Sequence, residues 1–246
     1  MVGLFATPLR RGLVLALALF LGACGMNPVE SSNTSSPGKD DSIAALSAWN
    51  KLTLEENRLL ADPLCLEVDK EYGPMIATIL ERHNKALAQI SGFTSQNLLK
   101  AGYPDYQGGV SLRVCDDPNI YAYSYPKTVA LHTGLLKTLK EAAGEEYLFA
   151  SSAAFVIYHE LGHIQMGHAG RSGVLGEASG AMLPFSEIEA DMFAATVLQK
   201  AGYSMEGVDL VFSVLSQINP AGSAVHPPSW ERLERVRRLT GIKEAS

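Results

Sequence analysis

Hydrophobic side chains along the chain recur mainly at helical spacing. Between residues 74 and 90 they follow one another at intervals of three and four, which predicts an amphipathic helix, and a first amphipathic region is expected over residues 43–60. Residues 146–157 are largely apolar and contain neither Gly nor Pro, which predicts a buried helix. Further helices are expected at residues 186–198, 210–218 and 230–238.

Alternation of apolar and polar side chains is confined to a short part of the chain. Residues 110–114 alternate as one strand, and residues 119–131 offer two more, broken by a proline. Tyr121, Tyr123 and Tyr125 share one face there, either as plain sheet residues or on an edge to which another peptide could pair. The pattern predicts an α+β domain that is mostly helical and has a small antiparallel sheet.

The first 23 residues have the form of a signal peptide. Arg10 and Arg11 precede an apolar core too short to span a bilayer, and the sequence Leu-Gly-Ala-Cys that ends at Cys24 has the form of a bacterial lipobox. We therefore expect Cys24 to carry acyl chains that anchor the protein to lipid. An aspartate does not follow the cysteine, which favours the outer membrane. The alternative is an ordinary signal peptide with a coincidental cysteine.

Residues 24–42 are expected to form the acylated cysteine and a flexible tether, because the stretch is rich in Ser, Pro, Asn and Gly and lacks hydrophobic periodicity. Residues 43–246 are then long enough to form one domain with a sizeable core. Removal of the signal peptide takes away two arginines and no acids, so the net charge changes from −6 to −8. A nucleic-acid partner is not expected for so acidic a chain.

Candidate chemistry lies at the end of the predicted buried helix, in the sequence His-Glu-Leu-Gly-His. Residues four apart share a helix face, so His159 and His163 can offer nitrogens to one metal ion while Glu160 projects beside it as a general base. The alternative is a chance occurrence on a solvated helix. Two imidazoles and a carboxylate buried without partners would cost several kcal/mol, which favours one zinc ion.

A catalytic zinc ion takes three protein ligands and leaves a position open for water. Glu187 and Asp191 share a face of the next predicted helix, with Glu187 as third ligand and Asp191 as acceptor for the outer N–H of a ligating histidine. Ser186 and Glu189 form a capping box that begins this helix, so Glu189 is expected to serve the cap. The alternative for Glu187 and Asp191 is a solvated acidic first turn.

Together these motifs resemble the zinc peptidases of metallopeptidase family forty-eight. That family includes the CAAX-prenyl endopeptidase, the heat-shock peptidase HtpX and periplasmic proteases of outer-membrane quality control. Its two motifs, H-E-x-x-H and E-x-x-A-D, match residues 159–163 and 187–191, and His226-Pro227 with Arg232 resembles its C-terminal element. The resemblance covers roughly residues 67–240.

The resemblance implies a zincin fold of the gluzincin type and a zinc-dependent endopeptidase. Its substrates would be polypeptides of the cell envelope, misfolded or stalled, at the periplasmic face of the outer membrane. His226 would reach the zinc site, either to bind the transition state or to occupy the open metal position as a gate, and Arg232 would support His226 or the developing oxyanion. The alternative is a capping loop followed by a solvated basic helix.

We expect the remaining cysteines and histidines to have structural roles. Cys65 and Cys115 form an even pair that suggests a disulfide, the alternative being two buried thiols. His83 and His132 are expected to be structural. His168 lies five residues after His163, which on a continuing helix is a rotation of about 140° away from the metal face.

A second hypothesis from a different class is a lipoprotein that holds envelope clients as a chaperone, or serves as a binding subunit of an envelope assembly complex, and cuts rarely or never. The sequence alone does not distinguish a site that His226 closes from one that is open and active. The glycine-rich segment at residues 167–183 is either a lid or a plain connector.

Overall fold

The structure, a computed structural model, describes residues 54–66, 69–90, 110–168, 183–222 and 226–241. The predicted signal peptide, Cys24 and the tether lie outside these residues. So do the first part of the amphipathic region and nearly all of the glycine-rich segment.

Helices make up most of the described chain, which confirms the mostly helical α+β class. Residues 54–61 form a helical segment. None of the described helices has the length and apolar composition needed to cross a bilayer. The helices that follow are α1 (Gly73–Leu87), α2 (Thr133–Ala143), α3 (Glu146–Gln165), α4 (Leu183–Lys200), α5 (Glu206–Ile218) and α6 (Ser229–Thr240).

Helix α3 is the central element of the fold and packs against α1, α2, α4 and α5. It is buried on nearly every side, as its apolar sequence predicts. The hydroxyls of Ser151 and Ser152 donate to backbone oxygens one turn earlier, so these two polar side chains are satisfied inside the core. Tyr158 donates its hydroxyl hydrogen to the carbonyl of Ile79 at 2.9 Å and so ties α3 to α1.

Small side chains on α3 allow α5 to approach closely, as the run of Ala and Ser at residues 150–154 predicts. A Cβ added to Gly207 would lie 2.7 Å from the backbone carbon of Ser151. The two helices therefore meet almost backbone to backbone at this point.

The strands form one sheet in the order β1-β2-β4-β3, and their bounds are β1 (Cys65–Leu66), β2 (Ser111–Cys115), β3 (Ala122–Ser124) and β4 (Thr128–His132). The three later strands lie where alternation predicts them, with a turn at the proline between β3 and β4. Every residue of β4 is buried, whereas β3 is half-buried at one edge of the sheet.

The expectation of an antiparallel sheet is wrong for its central pair, because β2 and β4 run parallel. From the end of β2 the chain first reaches the outer position as β3 and then returns antiparallel to it as β4. β4 is thereby inserted between β2 and β3 with the same direction as β2. Alternation along each strand does not encode this order.

Cys65 and Cys115 are directly opposite each other in the β1–β2 pair and are joined by a disulfide. Both cysteines are buried, in a small cluster with Leu59 and Ala130. The bond therefore cross-links the edge strand β1 to its neighbour β2.

Candidate metal centre

The metal-binding motif occupies the last part of α3, where the helix is surrounded by other elements. His159 and His163 are one turn apart, and their rings meet edge to face with centroids 4.6 Å apart. Each side chain is only 12% exposed. Burial of the helix thus gives both imidazoles a fixed orientation.

The second pair of candidate residues lies on α4, which packs along α3. The helix begins at Leu183, so Ser186 and Glu189 lie inside it and the predicted capping box is wrong. Pro184 fits a helix beginning there, because the first turn of a helix does not need the N–H that proline lacks. The earlier start leaves Glu187 and Asp191 on one face, and both are buried.

Three side chains on α3 and α4 place ligand atoms around one point. His163 Nε2 lies 3.1 Å from His159 Nε2 and 3.2 Å from Glu187 Oε1, and His159 Nε2 lies 3.6 Å from Glu187 Oε2. Donor atoms bound to one tetrahedral zinc ion at about 2.0–2.1 Å would be roughly 3.3–3.4 Å apart. The observed separations bracket that spacing, so the donor set fits a zinc ion.

Asp191 lies behind this cluster, as the motif spacing predicts. Its Oδ1 is 2.9 Å from Nδ1 of His159, the ring nitrogen that faces away from the cluster. Burial alone would lower the pKa of His159, but Asp191 and Glu187 outweigh burial and raise it to about 10. Without a metal ion His159 is therefore an imidazolium, and metal binding must displace its proton.

Arg232 of α6 is buried against the two carboxylates. Its Nε and one terminal nitrogen each lie 2.7 Å from an oxygen of Asp191, and the other terminal nitrogen lies 3.1 Å from Glu187 Oε2. Burial would raise the pKa of Asp191, but Arg232 holds it below its usual value. The guanidinium thus fixes the orientation of both carboxylates.

The charge of this region also fits a divalent cation. Glu160, Glu187, Asp191 and Arg232 are all buried, and once His159 has lost its proton to bind a metal ion, three carboxylates with one guanidinium carry a formal charge of −2. Burial of uncompensated charge is costly. One divalent ion would neutralise the group.

His168 lies off the ligand cluster, as expected, but its ring contacts that of His163, and Glu189 pairs with His168 instead of capping α4. His168 Nδ1 lies 3.1 Å from Nδ1 of His163, and its Nε2 lies 3.0 Å from Glu189 Oε2. Helix α3 ends at Gln165, and Gly167 has a φ of 71°, so the helical rotation does not continue to His168. A glycine just after a helix is a stop signal from which this turn could have been predicted.

A cavity of about 780 Å³ opens onto the ligand cluster. Glu160 lines it beside the two histidines, and the edge strand β3 forms part of another wall. His226 is at the rim, with Nε2 3.8 Å from Glu187 Oε1 and a side chain 56% exposed. His226, which the family resemblance singled out, therefore lies next to the ligand cluster.

Comparison with known proteins identifies the family. A family profile described as Peptidase U49 matches residues 124–246, which is half of the chain and runs from the end of β3 through both motif helices to α6. The chain belongs to the peptidase U49 family. All the site residues discussed above lie within the segment that matches this family.

The chain is also similar, along nearly its whole length, to a curated protein. Metalloprotease YcaL of Escherichia coli (strain K12) is 24% identical over an alignment of 269 positions, gaps included, that covers 94% of this chain and 96% of that protein. The similarity thus includes the part of the chain before residue 124.

Proposed function

We propose that this peptidase is a zinc-dependent endopeptidase. The observation that carries the proposal is the convergence of His159, His163 and Glu187 on one point at the wall of a cavity that Glu160 also lines. The similarity to a protein named as a metalloprotease supports a metal-dependent mechanism.

Each of these residues has a separate role in the proposed reaction. A zinc ion held by the three ligands would supply a Lewis acid that lowers the pKa of water to about 7 and polarises the scissile carbonyl. Glu160 accepts a proton from the attacking water and delivers it to the leaving amine. Asp191 and Arg232 keep His159 and Glu187 in the orientation that this reaction requires.

The position of β3 favours an extended polypeptide as substrate. β3 is the outer strand of the sheet on the side of the cavity, and Ala122, Tyr123 and Ser124 line that cavity. A peptide that pairs with the edge of β3 would bind mainly through its backbone. Selectivity for side chains would then be loose, as suits the removal of misfolded proteins.

The test combines zinc content with hydrolysis of an unfolded protein such as casein by the purified full chain. We expect one zinc ion per chain in both the wild type and Glu160→Gln, with activity reduced in the variant by a factor of about 10²–10⁴. Glu146→Gln, an exposed position on the same helix, is the matched control and should retain activity. Full turnover by Glu160→Gln would refute the assignment of the base.

A gated or binding protein is the second candidate, and the position of His226 favours it. Its Nε2 is close enough to Glu187 for a modest loop movement to bring it to the open ligand position. His226→Ala should increase casein hydrolysis if the side chain gates the site, and should decrease it if the side chain stabilises the transition state. Zinc binding without hydrolysis in the wild type and in His226→Ala would favour a chaperone or a subunit of an envelope complex.

We further propose a gluzincin fold similar to metallopeptidase family forty-eight and a lipid anchor at Cys24. The motif order supports the first, and the lipobox form of the leader supports the second. Envelope quality control at the periplasmic face of the outer membrane follows from these two proposals. Metabolic labelling with a radioactive fatty acid should mark the wild type and not Cys24→Ser, and labelling of both would exclude acylation at Cys24.

A further inference from the structure

A second hydrogen-bonded chain lies behind the ligand cluster and contacts His163, whereas Asp191 contacts His159. It starts at Nδ1 of His163, passes through both ring nitrogens of His168 and ends at Glu189, with separations of 3.1 and 3.0 Å. The His168 side chain is only 10% exposed, whereas that of Glu189 is 59% exposed. The chain therefore runs from a buried ligand to a carboxylate at the surface.

The chemistry of the three groups fixes the direction of these hydrogen bonds. An ionised carboxylate only accepts, so Glu189 accepts a hydrogen from Nε2 of His168. In the neutral ring the other nitrogen, Nδ1, then has a free lone pair and accepts a hydrogen from Nδ1 of His163. With its hydrogen on Nδ1, His163 presents the lone pair of Nε2 to the ligand cluster.

We propose that His168 and Glu189 are positioning residues that hold His163 in the tautomer and orientation needed to bind zinc. The inference rests on the proposed zinc site, and it gives each ligating histidine its own partner: Asp191 for His159, and His168 backed by Glu189 for His163. Outer partners of this kind orient a ligating ring and raise its basicity.

The two partners come from different parts of the fold. Asp191 is buried on α4 and paired with Arg232, so its position is determined by the core. His168 follows the turn at Gly167, and Glu189 reaches it from the exposed side of α4. The second arrangement thus links the end of α3 to α4 through side chains alone.

The first experiment measures zinc affinity by chelator competition on the purified full chain. We expect the zinc dissociation constant to rise roughly 10–100-fold in His168→Ala and about tenfold in Glu189→Gln. His168→Gln should recover part of the loss, because its amide oxygen can accept from His163. Glu81→Gln is the matched control, an exposed helical carboxylate that pairs with Lys85, and should leave the constant unchanged.

The outcomes separate this inference from the proposed function. A constant for His168→Ala within twofold of the wild type, while Glu187→Ala loses zinc, would overturn the inference and leave the zinc site intact. Failure of the wild type to bind zinc would overturn both.

A second measurement uses only the wild-type protein, so it does not depend on whether a variant folds. In zinc-loaded wild-type protein labelled with ¹⁵N, the bond between His163 and His168 should produce a scalar coupling between the two Nδ1 atoms across the shared hydrogen. A merely structural contact between the rings would give no such coupling. Its absence would therefore overturn the proposal.

Discussion

A single guanidinium determines the position of two functional carboxylates. Arg232 binds Asp191 through two parallel hydrogen bonds and also contacts Glu187, and all three side chains are buried. A lysine keeps the charge but cannot reproduce this planar fork. We expect Arg232→Lys to lower the free energy of unfolding of the metal-free protein by about 2–3 kcal/mol, the contribution of one or two hydrogen bonds to charged groups.

The same helix offers a control for this prediction. Arg237 pairs with Asp209 in a setting where their side chains are 30% and 42% exposed. Arg237→Lys should cost less than about 1 kcal/mol, because solvent screens such pairs. Denaturant titration of both variants gives the comparison, and equal costs would contradict a special role for the buried pair.

His83 predicts a pH dependence of stability that is independent of the zinc site. Burial beside Tyr158 and Phe193 lowers the pKa of this ring to about 4, from 6.5 when exposed. Between pH 6.5 and 4 the unfolded chain binds a proton that the folded chain does not, so stability falls as the pH falls through this window. The contribution lost is about 3 kcal/mol.

His83→Leu tests this origin, because Nε2 of His83 has no hydrogen-bond partner among the described residues and Nδ1 makes only a long contact of 3.4 Å with Oδ1 of Asn84. Thermal unfolding of both proteins in chelator, measured at several pH values, should show a smaller loss of stability at acidic pH in the variant. Parallel curves would show that the acid sensitivity arises elsewhere.

Site residues could be predicted from the sequence where they lie within a single helix, because their relative positions then follow from helical geometry. His159 and His163, like Glu187 and Asp191, are four apart within one helix, so their shared faces follow from helical geometry. His168 could not be placed in this way, because the helix ends at Gln165 and the positive φ of Gly167 interrupts the helical rotation before His168. The sequence pattern predicts that Glu189 caps a helix beginning after Ser186, but α4 already begins at Leu183, so Glu189 lies inside the helix.

At the scale of the elements, the contact between α3 and α5 leaves no room for a larger side chain at Gly207. Alanine is intrinsically better than glycine in a helix by about 1 kcal/mol. At Gly207, however, the added carbon would meet backbone atoms of Ser151 and Ser152 at 2.7–2.8 Å. We expect Gly207→Ala to destabilise the protein by about 1–3 kcal/mol, since overpacking against backbone outweighs the gain in propensity.

Ser213 is exposed on the same helix and provides the control. Ser213→Ala should change the unfolding free energy by less than about 0.5 kcal/mol in a denaturant titration. A neutral or stabilising Gly207→Ala would show that the two helices can separate without cost.

Strand positions were predictable from alternation, but strand neighbours were not. The pairing of β2 with β4 joins residues 17 positions apart in parallel register, such as Ser111 with Thr128. It depends on how the chain passes from the inner strand β2 to the edge position of β3 before it returns as β4. Alternation within a strand records which face is buried and carries no information about that path.

At the scale of the whole molecule, a zinc ion would join α3 to α4 and so stabilise the folded chain. A ligand that binds only the folded state adds about 2.7 kcal/mol at a free concentration 100 times its dissociation constant. We expect chelation to lower the melting temperature of the wild type and zinc to restore it. Glu187→Ala should melt at one temperature with or without zinc, and an equal response in that variant would place the bound ion elsewhere.

The disulfide between Cys65 and Cys115 bears on the timing of folding in the cell. It closes a loop of 50 residues, which in the chain-entropy model favours the folded state by about 4 kcal/mol. A newly synthesised chain in a reducing compartment lacks this bond. Its folded form would then be less favoured during any transport step that needs an unfolded polypeptide, and oxidation afterwards would commit the chain to its final structure.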